Sequence, residues 1–286
     1  MREQPIAIIA LPRSRILEKL QMGLLKNIAA KVLSRRVLTG PAKRFVFLYH
    51  DISEPDAPQY SPLYSTLPNS FKTQIDLLAG SFKLVSLDEI VTQASNNQER
   101  LASITFDDGF LSVKDEALPF LRSRGIPFSV FVNSMAIKHN QLFNAPGGTG
   151  PAVALSEKAY LDEAEIQQLT AAGVTIGSHS ATHKVLAACD EATLKQEVLD
   201  NKLYLEDLTG NEVRHLALPF GKREHYNEKV LDYCYSVGHN FVFSTNPSYF
   251  ELKSHQRLIP RIALLNETPE ELLFAINRPL LKKIDI

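Results

Sequence analysis

Residues 101–109 read LASITFDDG, an uncharged run that ends in two carboxylates and a glycine. The first six residues suit a buried strand, and similar apolar segments recur along the chain in alternation with amphipathic helices. The strands are predicted at 45–49, 101–106, 128–132, 174–176, 216–218, 241–243 and 258–264. Alternating strands and helices indicate a parallel sheet with right-handed crossovers. Seven such units in one chain favour an α/β fold, a parallel (β/α) barrel of about seven strands.

The helices between these strands carry start and stop signals of their own. A helix is predicted near 69–80 from its position between two strands. Asp162 and Glu165 form a capping-box-like start for a helix that stops at Gly173. The glycine- and proline-rich residues 144–151 predict a loop inserted over one mouth of the barrel.

The overall composition argues against several classes of protein. The chain has 286 residues, enough for one large domain or two modest ones. Its 31 Lys and Arg residues against 32 Asp and Glu residues give a net charge of −1, so no nucleic-acid partner is expected. The two cysteines, Cys189 and Cys234, exclude a disulfide scaffold and a cysteine-built zinc site. No apolar run reaches the roughly 18 residues of a membrane-spanning helix.

The N-terminal residues 1–40 differ from the remainder and are predicted to form a separate basic, amphipathic helical segment ahead of a barrel in 41–286. Residues 13–36 place apolar side chains at helical spacing and carry seven basic residues against one acid, a net charge of +6. A helix of this kind either packs on the protein body or lies on an anionic membrane surface. Both alternatives stay open.

The first residues resemble a secretion signal only in part. Glu3 stands where positive charge should dominate, and no small-residue cleavage site follows the apolar patch at 6–11. We therefore expect a cytoplasmic protein. Peripheral attachment to the inner face of the membrane through residues 13–36 is the accompanying alternative.

Polar side chains follow several of the predicted strands. Asp107 and Asp108 follow the second strand, and His179 and His183 follow the fourth. The carboxyl ends of parallel barrel strands meet at one mouth, so these four side chains are expected to converge. Because side chains alternate along a strand, one carboxylate is expected to join a metal while the other handles a proton. Two histidines four residues apart suit a shared site if the segment turns helically. Either pair alone would also fit an ordinary turn, but together they resemble the open three-ligand site of a hydrolytic zinc enzyme.

Three short motifs occur in a fixed order and resemble those of the polysaccharide deacetylase (NodB-homology, carbohydrate esterase) family. They are TFDDG at 105–109, HSATH at 179–183 and ALPFG at 217–221. Two further segments, LYHDI at 48–52 and IPRI at 259–262, also recur in one branch of that family. The resemblance spans roughly residues 45–265. It implies a distorted (β/α) barrel that removes acyl groups from sugars with the help of a metal.

The resemblance also implies a role for each matched residue. Asp107 would be the general base that takes a proton from water. The implied ligands of a divalent metal, taken here to be Zn²⁺, are Asp108, His179 and His183. A backbone N–H near Phe220 would help to hold the oxyanion. The resemblance implies that three residues of this third motif contact the substrate or its oxyanion, namely Pro219, Phe220 and Gly221.

The sequence departs from the family pattern at two points. Ala217 stands where many members have an arginine that orients the catalytic aspartate. Arg261, at the end of a late strand, is predicted to take over that role, with a structural ion pair as the alternative. The family's general-acid histidine has no clean match. His50 ends a strand at the correct mouth and is the candidate acid, with a supporting or structural role as the alternative. His239 and His255 precede strands and are expected at the opposite mouth.

The expected function is metal-dependent removal of an N-acetyl group from a sugar in a glycan or glycolipid pathway. Two alternatives stay open, an O-acetyl esterase with the same site and an inactive carbohydrate-binding barrel. A serine hydrolase is not expected, because the chain has no Gly-x-Ser-x-Gly motif. The loops at 55–66 and 138–160 carry no pattern that identifies the sugar, and the oligomeric state is not predicted.

Overall fold

The computed structural model describes residues 43–92, 99–140, 158–252 and 257–281. The strands are β1 (Arg44–Tyr49), β2 (Asp51–Ile52), β3 (Ser65–Thr66), β4 (Lys83–Leu84), β5 (Leu101–Phe106), β6 (Phe128–Val132), β7 (Thr175–Ser178), β8 (His215–Ala217), β9 (Phe241–Phe243) and β10 (Ile262–Ala263). The α-helices are α1 (Pro68–Ser81), α2 (Leu87–Thr92), α3 (Leu118–Ser123), α4 (Ser134–His139), α5 (Glu163–Ala171), α6 (Glu191–Lys195), α7 (Asn201–Thr209), α8 (Glu228–Ser236) and α9 (Pro269–Leu281). Single π-helical turns precede α3 and α7, at Val113–Ala117 and Gln196–Asp200.

Seven strands form a parallel sheet that curves into a distorted barrel. Their order is β10–β1–β5–β6–β7–β8–β9, and the short β4 pairs with the start of β5. At the far edge, Ile259 pairs with Phe243 of β9 before the chain continues into β10, which pairs with β1. Residues 259–263 therefore connect β9 to β1. This confirms the predicted distorted barrel of about seven strands.

Side chains from opposite strands fill the barrel interior. The rings of Phe131 on β6 and Phe243 on β9 lie 5.5 Å apart, in one buried cluster with Val46 and Ala217. Strands β1, β5 and β6 are buried along their whole length. Helices cover the outside of a parallel barrel, so these strands have no face in water. Apart from Arg44 at the start of β1, they are continuous uncharged runs. Each fully buried Phe side chain contributes about 2–3 kcal/mol of hydrophobic stabilisation.

Most predicted elements agree closely with the structure. The strands at 101–106, 128–132 and 241–243 match to the residue. Helix α5 begins at a complete capping box, in which Glu165 N–H donates to Asp162 Oδ1 (2.9 Å) and Asp162 N–H donates to Glu165 Oε2 (3.0 Å).

The strand predicted at 258–264 is wrong in its extent, since only β10 is regular. Pro260 lacks a backbone N–H and interrupts the ladder between the two short pairings.

Residues 41–269 form one compact unit, and α9 from Glu270 onward belongs to a second. The first turn of α9 carries Glu270 and Glu271, where the positive end of the helix dipole favours acidic side chains. No helix within the described ranges is long and apolar enough to cross a membrane. The predicted segment 1–40 and the predicted loop at 144–151 lie outside the described residues, so both stay predictions.

Candidate active site

The carboxyl ends of the strands open into a cleft of about 520 Å³. The predicted site residues that line it are His50, Asp107, Asp108, His179, His183 and Phe220. Arg261 is fully buried and reaches this group through its contact with Asp107. The structure thus brings the strand-end residues together at the mouth where barrel chemistry collects.

A left-handed turn after β5 sets the direction of the two carboxylates. The φ angles of Asp108 and Gly109 are 68° and 71°. A Cβ at Gly109 would lie 2.9 Å from Val132 Cγ1, so only glycine fits there. The two carboxylates were expected to diverge as strand neighbours do, and that expectation is wrong. Because the left-handed backbone breaks the alternation, Asp107 Oδ2 and Asp108 Oδ1 lie 3.7 and 3.5 Å from His179 Nε2.

Asp108, His179 and His183 present three converging ligand atoms. Asp108 Oδ1 lies 3.5 Å from His179 Nε2 and 3.6 Å from His183 Nε2. Bond lengths of about 2.1 Å in a tetrahedral zinc site give ligand–ligand separations of about 3.4 Å, close to both distances. Asp108 Oδ1 is also buried with no hydrogen-bond donor among the described residues. The donor set and its spacing fit a divalent metal ion.

A hydrogen bond to the neighbouring strand β8 fixes the orientation of His179. Its Nδ1 lies 2.8 Å from the carbonyl oxygen of Ala217, so Nδ1–H donates there and Nε2 is left as the ligand atom. Burial lowers the pKa of His179 to about 4, against the opposing charge of Asp107. The ring is therefore neutral at pH 7, as a metal ligand must be.

The two histidines meet through a tight turn and not through the helical turn that a spacing of four residues would suit. Ser180 and His183 have φ angles of 65° and 57°, and His183 N–H donates to Ser180 Oγ (3.0 Å). Glu197 braces this turn from outside, because its carboxylate accepts from the N–H and hydroxyl of Thr182. Asn133 Nδ2 donates to the carbonyl oxygens of both His179 and Ser180.

Arg261 clamps the other carboxylate. Its Nη1 and Nη2 donate to the two oxygens of Asp107, each at 2.7 Å. Burial by itself would raise the pKa of Asp107. The guanidinium, together with His179 and His50, outweighs burial and lowers the pKa to about 2. Asp107 is thus an ionised, fixed carboxylate beside the three ligand atoms.

The third motif forms a second left-handed turn at the cleft. Phe220 and Gly221 have φ angles of 59° and 62°. A Cβ at Gly221 would lie 2.6 Å from the backbone nitrogen of Thr245, which requires glycine. Gly221 N–H donates to the Pro219 carbonyl oxygen (2.7 Å), and Thr245 Oγ1 donates to the Phe220 carbonyl oxygen (2.7 Å). The Phe220 ring packs edge-on against His183, with centroids 4.5 Å apart.

Sequence reasoning missed several residues that line the cleft or support it. Tyr64 and His225 line it, yet neither belongs to a motif. Asn133 could have been found as a polar residue directly after β6, by the same argument that found Asp107. His239 is buried at the amino end of β9, on the expected side. His255 lies outside the described residues.

Comparisons with known proteins agree with these features. A family model described as polysaccharide deacetylase matches residues 94–242, just over half of the chain. The curated Bacillus subtilis (strain 168) protein "Putative polysaccharide deacetylase YxkH" is 22% identical over 211 residues, which cover 72% of this chain and 66% of that protein. The match therefore spans slightly less than two thirds of the relative's length.

Two solved structures share the fold at low sequence identity. Streptococcus pyogenes deacetylase PplD in complex with acetate superposes with a TM-score of 0.65 at 18% identity, covering 86% of this chain and 100% of that one. A de-N-acetylase from Aggregatibacter actinomycetemcomitans gives 0.66 at 17% identity, with coverages of 79% and 96%. Fold, ordered motifs and the match over residues 94–242 lead to one assignment. The chain belongs to the polysaccharide deacetylase family.

Proposed function

We propose that the protein is a metal-dependent deacetylase that hydrolyses the N-acetyl group of a sugar. The observation that supports this best is the pairing of two carboxylates with different surroundings. Asp107 is held by Arg261 through two 2.7 Å hydrogen bonds. Asp108 Oδ1 instead lies 3.5 and 3.6 Å from the two imidazole Nε2 atoms and accepts no hydrogen bond from the residues that the structure describes. One carboxylate is therefore placed to handle a proton and the other to bind a cation. Membership of the family supports deacetylation as the reaction class.

Each residue then has a task in amide hydrolysis. Asp108, His179 and His183 would hold the cation, proposed to be Zn²⁺, which acidifies water and polarises a carbonyl group. Asp107 accepts the proton of the water that attacks the acetyl carbon. As the C–N bond breaks, His50 donates a proton to the leaving amine, and acetate remains.

The oxyanion requires a donor that is fixed in advance. Gly221 N–H is already used within its turn, so we assign the Phe220 N–H to the acetyl oxygen. Removing one donor of this kind typically costs about 3–4 kcal/mol of transition-state stabilisation. Pro219 and Gly221 hold the turn that aims it, and Thr245 holds the turn from behind.

The two alternatives differ from this proposal in testable ways. An O-acetyl esterase would use the same residues, since only the leaving group changes. An inactive carbohydrate-binding barrel is disfavoured by Asp108, because a buried acceptor without a donor costs about 1–3 kcal/mol unless something binds it.

Acetate release from a panel of substrates tests the proposal. Zinc-loaded protein would be incubated with nucleotide-linked, lipid-linked and oligomeric N-acetyl sugars, and with O-acetylated sugars of the same kinds. We expect release from at least one N-acetyl sugar, its loss on chelation and its return with Zn²⁺. Release from O-acetyl sugars alone would favour the esterase. Absence of release together with failure to hold stoichiometric metal would favour the binding barrel.

We further propose that the protein works in the cytoplasm on a biosynthetic intermediate. From there a finished extracellular polymer is out of reach, whereas nucleotide-linked and lipid-linked sugars are accessible. The +6 charge of residues 13–36 favours a lipid-linked one, since each basic residue near an anionic surface adds about 1 kcal/mol of attraction. The net charge of −1 gives no support for a nucleic-acid partner.

A further inference from the structure

A short turn that follows the third motif carries a histidine held at two points. His225 N–H donates to the Lys222 carbonyl oxygen (2.9 Å), and Lys222 N–H donates to His225 Nδ1 (3.2 Å). Both the backbone and the ring of His225 are thus tied to one residue. The turn begins next to Gly221, and the His225 ring packs against Phe220 with centroids 5.2 Å apart. His225 is therefore fixed relative to the proposed oxyanion donor.

The same hydrogen bond sets the tautomer of the ring. Because Nδ1 accepts a hydrogen bond from the Lys222 backbone N–H, the neutral ring carries its own proton on Nε2. His225 lines the cleft, and its side chain is 20% exposed. His225 thus presents its Nε2–H to the cleft as a hydrogen-bond donor whose direction is fixed before a ligand binds.

An acceptor accompanies this donor. Glu224 also lines the cleft, and its Oε1 lies 4.0 Å from His225 Nε2. A hydroxyl group both donates and accepts hydrogen bonds, so a donor and a carboxylate at this separation suit the hydroxyls of a sugar. The carboxylate of Glu224 would repel a phosphate placed at the same point.

The geometry points to His225 as a substrate-binding residue that donates Nε2–H to a hydroxyl of the sugar, with Glu224 accepting from the same or the adjacent hydroxyl. This inference rests on the proposed function, since it places the sugar in the deacetylation cleft. A neutral hydrogen bond of this kind contributes about three- to tenfold in affinity. The residue acts on sugar recognition and takes no part in the proton transfers.

Two substitutions separate binding from the turn itself. In His225→Asn the side-chain oxygen can still accept from Lys222 N–H, but no donor reaches the position of Nε2. In His225→Gln the amide N–H reaches that position. Arg223→Gln is the matched control, because Arg223 is exposed on the same turn and stacks on Tyr226 with 5.5 Å to the ring centroid.

The zinc-loaded proteins would be compared on an N-acetylglucosamine oligomer and on 4-nitrophenyl acetate, which has no sugar hydroxyl. For His225→Asn we expect KM for the oligomer to rise about three- to tenfold, with kcat and the hydrolysis of 4-nitrophenyl acetate unchanged. His225→Gln should recover most of the loss, and Arg223→Gln should equal wild type. Wild-type behaviour of His225→Asn, or an equal loss on both substrates, would overturn the inference.

Failure of the proposed function would look different. The wild-type protein would then release acetate from neither compound. Calorimetric titration of the metal-free proteins with the oligomer still tests His225 in that case, because binding needs no turnover. An affinity of His225→Asn equal to that of wild type would again count against the inference.

Discussion

Replacing Arg261 by methionine is expected to reduce the free energy of unfolding by about 3–5 kcal/mol at pH 7. The guanidinium is fully buried, donates twice to Asp107 at 2.7 Å and lies 5.2 Å from the Phe131 ring centroid. Methionine fills part of this volume but donates no hydrogen bond. The Asp107 carboxylate is then buried without its partner, and burying an unpaired charge is what makes the loss so large.

The decrease in the free energy of unfolding caused by Arg261→Met is expected to become smaller as the pH falls from 7 towards 4. In the wild type the pKa of Asp107 is about 2, so its favourable contribution is complete above its ordinary value of 3.8 and disappears only below that. Without Arg261, burial raises the pKa of Asp107 above the ordinary value. The folded variant then takes up a proton that the unfolded chain does not, which relieves the buried charge. The difference in unfolding free energy between wild type and variant therefore narrows.

Urea unfolding of the metal-free proteins at pH 7 and pH 5, followed by circular dichroism, measures both effects. Arg257→Met is the matched control, since Arg257 pairs with Glu228 and Asp232 on the surface and its removal should change little at either pH. A loss below about 1 kcal/mol for Arg261→Met at pH 7 would refute the reasoning. A loss that does not narrow at pH 5 would show that Arg261 does not hold Asp107 ionised.

Three further outcomes are expected. Asp107→Asn should retain stoichiometric zinc and lose turnover, whereas Asp108→Asn should lose both. Metal analysis and acetate release measure the two effects. If Asp107→Asn lost zinc and Asp108→Asn kept it, the roles of base and metal ligand would have to be exchanged. Burial lowers the pKa of His215 to about 4 and that of His239 to about 3. Both pKa values lie below the ordinary 6.5, so the unfolded chain takes up protons first and stability falls as the pH drops from about 6.5, by a few kcal/mol at pH 5. His239→Gln should flatten this slope in urea unfolding, and an unchanged slope would contradict the assignment. The full chain should sediment with anionic vesicles, and salt should release it. A variant lacking residues 1–40 should stay folded but no longer sediment with them. Loss of the barrel's circular dichroism signal on deletion would instead show that the segment packs on the body.

The regular part of the fold was predictable because its causes are local. Strands β5 and β6 are covered on both faces and therefore appear as uncharged runs whose ends coincide with the observed ones. Helix α5 has its start fixed by Asp162 and Glu165, whose hydrogen bonds involve neighbours in sequence. The last strand was not predictable in the same way. Its apolar pattern continues through Pro260, but pairing passes from β9 to β1 at that point, and this depends on the closed barrel.

The site shows the same division between what is local and what is not. Strand ends identified the residues that meet, but not the partner of each carboxylate. Arg261 is separated from Asp107 by 154 residues in sequence. Its role in orienting Asp107 was predicted because Ala217 stands where many family members have the arginine that does so. His225 has no such signal, because the two hydrogen bonds that fix its ring form only once the turn at Lys222 is closed.

Left-handed backbone conformations recur at the residues that form the site. Five non-glycine residues in the described part of the chain have positive φ, and four of them belong to the three motifs, namely Asp108, Ser180, His183 and Phe220. Each such residue costs about 1 kcal/mol or more, so it persists only where its surroundings hold it. Those surroundings are specific here, with Glu197 bracing the histidine turn and Thr245 holding the turn at Phe220. Residue preferences predict the unstrained conformation at all four positions. The ligand atoms and the proposed oxyanion donor therefore face one cleft through conformations that only the folded barrel can stabilise.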